Sequence, residues 1–347
     1  MRTALLLAAL VPVVALVPLG GCRGRSSDPA DADGGAAARA QAKMRAEEPL
    51  PRGEGRVDVE GGRIWYKLSG AGEGTPVILI HGGPGIASFY LKSLEALGDD
   101  RPVVRYDQLG SGNSGALTNV SMMTVGHFVE ELDALRKQLG YDRVHLVGHS
   151  WGAMLAVEYS RAHPEHVASL TLASASLDMP AWGRHISRLV RTLSDPAQRA
   201  IQRHDAGSAG DAPGYAAAAS EFYGKYVWRH PERADLDSMV ATGNALIAVQ
   251  MKGANQFTPG GTLKSYDATP YLGAVRVPAL FLVGEFDEAD PATVKRFAAL
   301  TPSARYRMIP GAAHMITWDN PDATVSTVRA FLRDVDSTTA KRRRRLL

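Results

Sequence analysis

Gly148-His149-Ser150-Trp151-Gly152 sets one serine between two glycines, after the apolar run Val144–Val147 and ahead of a helical stretch from Ala153 to Arg161. This is G-x-S-x-G in a strand–turn–helix setting, a turn sharp enough to need glycine on both sides and to lift the hydroxyl to its tip. A serine hydroxyl is a poor nucleophile until a base takes its proton, so Ser150 requires a histidine and an acid to orient it. Both follow along the chain. The run Ala279–Val283 leads into Gly284-Glu285-Phe286-Asp287, and Tyr306–Ile309 leads into Pro310-Gly311-Ala312-Ala313-His314. Glu285, Glu288 and Asp290 are rivals for the acid. Asp287 is preferred because it falls at the tip of its loop, whereas Asp290, just before Pro291, suits a helix cap. His314 would then take the Ser150 proton and return it to the leaving group, with Asp287 fixing the imidazole tautomer.

Negative charge on the attacked carbonyl needs donors already in place. His81-Gly82-Gly83-Pro84-Gly85 follows the apolar run Val77–Ile80, and the N–H groups of Gly83 and Trp151 are the expected oxyanion donors. His81 reads as the residue that holds this loop. His149 is expected to point away from the turn's tip, and His127, His145, His163 and His166 read as structural.

A scaffold must bring these distant loops together. Between residues 56 and 336 short apolar runs alternate with helical patterns, which predicts a mostly parallel, doubly wound α/β sheet covered on both faces. Arg56–Val59 and Arg63–Leu68 form an opening hairpin around Gly61-Gly62. The remaining strands are Val77–Ile80, Val103–Tyr106, Val144–Val147, Leu170–Ala173, Ala279–Val283 and Tyr306–Ile309. Val125, Phe128, Leu132, Leu135 and Leu139 share a helix face, and Glu130, Glu131, Arg136 and Lys137 are expected outside it. In such sheets ligands bind at the carboxyl ends of the strands, where Ser150, Asp287 and His314 all fall. The alternation stops between 178 and 270, so a helical lid is expected to divide the core into 56–177 and 271–336.

The ends of the chain have a different character. Arg2 precedes an apolar stretch, Thr3 to Gly21, broken by Pro12 and Pro18, so residues 1–21 read as an export signal rather than a spanning helix. Leu19-Gly20-Gly21-Cys22 resembles a bacterial lipoprotein signal, which implies lipidation at Cys22 and anchoring in the cell envelope. Residues 22–55, rich in Ala, Gly, Asp, Arg and Pro, are expected to form a flexible tether. Residues 337–347 are expected to be a frayed basic tail. Lys341 to Arg345 carry five of the positive charges behind the net +3, leaving the rest of the chain at −2. That balance argues against a nucleic-acid face, which needs clustered cations. The single cysteine excludes a disulfide framework and a cysteine-rich metal site. Nothing in the sequence specifies an oligomeric state.

Taken together, His81–Gly85, Asp107-Gln108-Leu109-Gly110-Ser111-Gly112-Asn113-Ser114, Gly148–Gly152, Gly284–Asp287 and His314 resemble the proline iminopeptidase family of α/β-hydrolases. Tricorn-interacting aminopeptidases and amino-acid amidases are close to that family. The resemblance implies a serine aminopeptidase that releases N-terminal residues, often proline, from short peptides or amino-acid amides through an acyl-enzyme, with no metal and no organic cofactor. Two positions depart from the pattern. Leu109 stands where many members carry arginine. Asn255-Gln256-Phe257 stands where the lid usually reads Asn-Glu-Phe, whose glutamate helps hold the substrate's ammonium. Gln256 is neutral, and Glu221 and Glu232 are either lid carboxylates that compensate for it or solvated helix residues. Phe222, Tyr223, Tyr226 and Trp228 supply either a proline-sized pocket or lid core. A carboxylic esterase would use the same triad, and a non-catalytic envelope binding protein would show a broken one.

Overall fold

A computed structural model of the chain describes residues 52–205 and 212–346. Eight strands form one sheet: β1 Gly53–Val59, β2 Gly62–Ser69, β3 Val77–Ile80, β4 Val103–Asp107, β5 Val144–His149, β6 Val167–Ala173, β7 Ala279–Gly284 and β8 Ala304–Ile309. Their order is β1-β2-β4-β3-β5-β6-β7-β8. β1 pairs antiparallel with β2, and β2 with β4; every later pairing is parallel. The central strands β3 to β7 are buried along their whole length, which explains why they read as continuous apolar runs. β8 lies at an edge and alternates, with Arg305 and Arg307 along it; charges there discourage pairing with another chain.

Helix α1 (Val125–Gln138) is capped by Thr124, whose side chain accepts from His127 N at 3.2 Å. It buries Phe128, Leu132 and Leu135 as its periodicity predicts, but Glu131 and Arg136 are buried too. The expectation that both lie outside is therefore corrected. α1 packs on α2 (Trp151–Ala162) as well as on the sheet, so it has two covered faces. Arg136 bonds Asp133 and the Tyr159 hydroxyl across that contact. Glu131 accepts from Leu109 N at 2.9 Å, and burial pushes its pKa up to about 8.

Between β6 and β7 the chain leaves the sheet through α3 (Met179–Val190), α4 (Asp195–Asp205), α5 (Ala212–Tyr226), α6 (Arg233–Thr242), α7 (Ala245–Met251) and α8 (Thr269–Leu272). It re-enters the sheet at β7; α9 (Pro291–Leu300) then leads to β8, and a short α10 (Ile316–Asp319) and α11 (Pro321–Leu346) follow. Two boundaries differ from expectation. β1 starts at Gly53, inside the stretch read as tether, because its residues pair with β2. α11 runs through the basic tail, so that segment is helical rather than frayed. Cys22 and the signal segment lie outside the described residues. Among the described residues no helix is long and apolar enough to cross a membrane.

Candidate active site

Ser150 sits at the turn between β5 and α2 with φ 56° and ψ −115°, a strained conformation for a residue with a side chain. Its N–H is held by Ala173 O at 2.9 Å. A Cβ on Gly148 would run into the backbone of Gly152, and one on Gly152 into that of Ile80. The glycines at both ends of the motif are thus fixed by close approach of strand, turn and helix.

Asp287, on the loop after β7, is buried and accepts from His314 Nδ1 at 2.7 Å. It also accepts from the Ser174 hydroxyl at 2.6 Å, Ala289 N at 2.8 Å and Gly284 N at 3.1 Å. Burial alone would raise its pKa, but the His314 charge and these bonds hold it below the ordinary value. Burial alone would lower the pKa of His314, but the charge and hydrogen bond of Asp287, together with the Glu288 charge, raise it. Ser150 and His314 line one cleft. Ser150 Oγ and His314 Nε2 are not hydrogen-bonded to each other; such bonds often tighten only with substrate. Asp290 caps α9, accepting from Ala292 N and the Thr293 hydroxyl.

The loop carrying Gly83, one of the two expected oxyanion donors, follows β3. Gly83 has φ 116°, a region open to glycine, and among the described residues its N–H has no partner. Trp151 opens α2, so its N–H has no intrahelical acceptor. Gln108 ties these two arms together. Its side chain donates to His81 O at 3.0 Å and accepts from Trp151 Nε1 at 2.8 Å, while its backbone N–H donates to His81 Nε2 at 2.9 Å. His81 thus holds the loop, as its position suggests.

His149 does not turn away from the cleft. It lines it, but both ring nitrogens are engaged: Tyr90 donates to Nδ1 at 2.9 Å and Nε2–H donates to His314 O at 2.9 Å. Burial brings its pKa down to about 3, keeping it neutral. The Tyr90 oxygen also accepts from Gly82 N at 2.6 Å, which links the oxyanion loop to the base.

The lid contributes differently from expectation. Gln256 lines the cleft, and its Oε1 accepts from Lys252 Nζ at 3.2 Å. Glu221 does not reach the cleft; it holds Ser194 N and Oγ and pairs with Lys225, pinning the start of α4 against α5. Glu232 is an exposed residue at the start of α6. Neither carboxylate lines the cavity, so neither can compensate for Gln256 there. The carboxylate at the cleft is Glu288, next to Asp287, which sequence reasoning weighed only as a rival acid. Glu288 is 5% exposed, its Oε2 has no hydrogen-bond partner, and Oε1 lies 3.9 Å from His314 Nε2. Burial raises its pKa, against the charges of His314 and Lys252. Tyr223 and Trp228 line the cleft, whereas Phe222 is lid core. Tyr226 works through its backbone, since its carbonyl accepts from Glu288 N at 3.1 Å and His314 N at 3.2 Å. Ser174 was also missed; its only sequence signal is its place just beyond a buried strand.

A narrower slot opens beside Ser150, walled by Pro84, Trp151, Met154, Met179, Trp182 and Leu263. Among the described residues one grouping has metal-ligand types, Glu130, Asp133 and His163. None of it lines the cleft, and Asp133 is already engaged by Arg136, Lys137 and Tyr159.

Residues 75–321 match the family model described as the alpha/beta hydrolase fold. The chain is 36% identical over 285 residues to a proline iminopeptidase of Heyndrickxia coagulans, spanning 81% of this chain and 99% of the relative. It is also similar to the crystal structure of proline iminopeptidase from Mycobacterium smegmatis, with 32% identity, a TM-score of 0.77 and coverage of 82% and 99%. The crystal structure of VinJ matches with 32% identity, a TM-score of 0.78 and coverage of 82% and 100%.

Proposed function

The chain belongs to the proline iminopeptidase family within the α/β-hydrolase fold, and on that premise we propose that it is a serine aminopeptidase whose substrate amine is read by Glu288. The observation that carries the reading is the unpaired, buried Glu288 oxygen on the cleft that holds Ser150 and His314. A buried carboxylate without a partner is costly, and a substrate ammonium supplies one.

Ser150 Oγ attacks the first peptide carbonyl while its proton passes to His314 Nε2, and Asp287 stabilises the imidazolium. The carbonyl oxygen becomes an oxyanion facing Gly83 N–H and Trp151 N–H. On collapse the C–N bond breaks and His314 protonates the leaving amine. Water, deprotonated by His314, then attacks the acyl-enzyme ester, and Ser150 leaves with the proton. A carboxylic esterase would need no carboxylate for an amine, and with Gln256 neutral it is Glu288 that supplies one, from another loop.

A fluorophosphonate probe tests the nucleophile: it should label the wild type and not Ser150→Ala. Prolyl and alanyl arylamides should be cleaved and N-acetyl-prolyl arylamide spared. Equal cleavage with and without the acetyl group would remove amine recognition and the aminopeptidase with it. We further propose, from Leu19 to Cys22, that the enzyme is exported and lipid-anchored in the cell envelope. Incorporation of labelled palmitate that Cys22→Ser abolishes is the expected result.

A further inference from the structure

The main cleft and the slot share Gly83, Pro84, Ser150, Lys252 and Glu288. Among the described lining residues, Glu288 is the one carboxylate and Lys252 the one lysine or arginine. Lys252 follows the last turn of α7. Its ammonium donates to Gln256 Oε1 at 3.2 Å and lies 5.2 Å from the centre of the Trp182 ring. It forms no ion pair with Glu288 or any other described carboxylate. One of its three N–H bonds is therefore used, and it borders a slot whose walls are otherwise largely apolar.

The charges at this junction are one negative, one positive and a neutral amide. A substrate bringing only an ammonium satisfies Glu288 but leaves the junction with one excess positive charge, that of Lys252. A substrate bringing an ammonium and a side-chain carboxylate satisfies both. The methylenes of an acidic side chain would lie on Met179 and Trp182, with the carboxylate directed to Lys252 and the ammonium to Glu288. We infer that Lys252 forms a carboxylate subsite in the slot beside Ser150, and that the preferred substrates are peptides with an acidic N-terminal residue. This rests on the aminopeptidase reading above and sharpens its substrate class.

The test is kcat/KM of the full-length protein on glutamyl, glutaminyl and N-acetyl-glutamyl arylamides. Glutamyl and glutaminyl differ in charge but hardly in shape, so their ratio isolates the subsite. Wild type should favour glutamyl by about tenfold or more, the scale of a charged hydrogen bond. Lys252→Gln should bring the ratio close to one, and Lys252→Arg should retain the preference. A wild-type ratio near one with the acetylated substrate inert would overturn the role of Lys252 and leave the aminopeptidase standing. The subsite is equally overturned if Lys252→Gln depresses both substrates by the same factor, since the lysine then serves only to balance Glu288. Cleavage of the acetylated substrate as fast as the free amine would overturn both. Should Lys252→Gln fail to fold, the wild-type ratio and Lys252→Arg still decide the matter.

Discussion

Gln108→Leu is expected to slow catalysis without touching a reacting group. The glutamine side chain is buried and makes two hydrogen bonds, to His81 O and from Trp151 Nε1. Leucine fills a similar space but can make neither, leaving a buried carbonyl and a buried indole N–H without partners. Each orphaned group costs about 1–3 kcal/mol, so the fold should lose about 2–6 kcal/mol. The functional loss comes from position. His81 O lies two residues before Gly83, and Trp151 carries the other proposed oxyanion donor, so losing the clamp lets the two move independently. Removing one such donor outright costs about 10²–10³ in kcat, and loosening two should cost about 10–100-fold. Because the donors act mainly on charge that develops in the transition state, kcat should fall with KM nearly unchanged. Urea denaturation and steady-state kinetics on a prolyl arylamide separate the two effects. A variant destabilised as stated but with wild-type kcat would show that the oxyanion arms hold their geometry without Gln108, and the reasoning would fail.

Asp287→Asn should lower kcat by about 10³–10⁴. Because Asp287 raises the His314 pKa, the acid limb of kcat/KM, where a protonated imidazole cannot accept the serine proton, should lie above pH 6.5 in the wild type and shift to lower pH in the variant; an unmoved limb would reassign the acid. Glu131 titrates at about 8 in the fold against an ordinary 4.5, so its contribution is present below pH 4.5 and is lost as pH rises through 8. The ceiling on that loss is about 5 kcal/mol at about 1.4 kcal/mol per pH unit. Glu131→Gln keeps an acceptor for Leu109 N–H and should be more stable than wild type at pH 9 but not at pH 4; urea midpoints with equal pH slopes would contradict this. Tyr90→Phe leaves Gly82 N–H and His149 Nδ1 without their partner, and should cost about 1–3 kcal/mol of stability together with several-fold in kcat. Unchanged values of both would show water replacing the hydroxyl.

Two kinds of information were legible in the chain, for different reasons. β3 to β7 are buried end to end, so their apolar runs are dictated by local environment and could be read directly. The turn at Ser150 was legible because close backbone approach leaves room only for glycine at both ends. Asp287 and His314 follow from the same logic: each stands just beyond a strand whose end the hydrophobic pattern marks. Glu131 and Arg136 misled because helical periodicity reports one covered face, and α1 has two.

The carboxylate that lines the cleft was not legible, since it depends on which acidic side chain arrives there without a partner. Glu221 and Glu232 sit in the lid sequence beside aromatic residues, yet one is consumed by Ser194 and Lys225 and the other faces solvent. Glu288 lies in the acid loop and reaches the substrate side because Tyr226 of the lid holds its backbone. The sequence by itself determined the sheet, the elbow and the order of the triad, since backbone sterics and burial act on neighbouring residues. Only the tertiary structure decided which charges meet in the cleft, because pairing and desolvation depend on segments far apart in the chain.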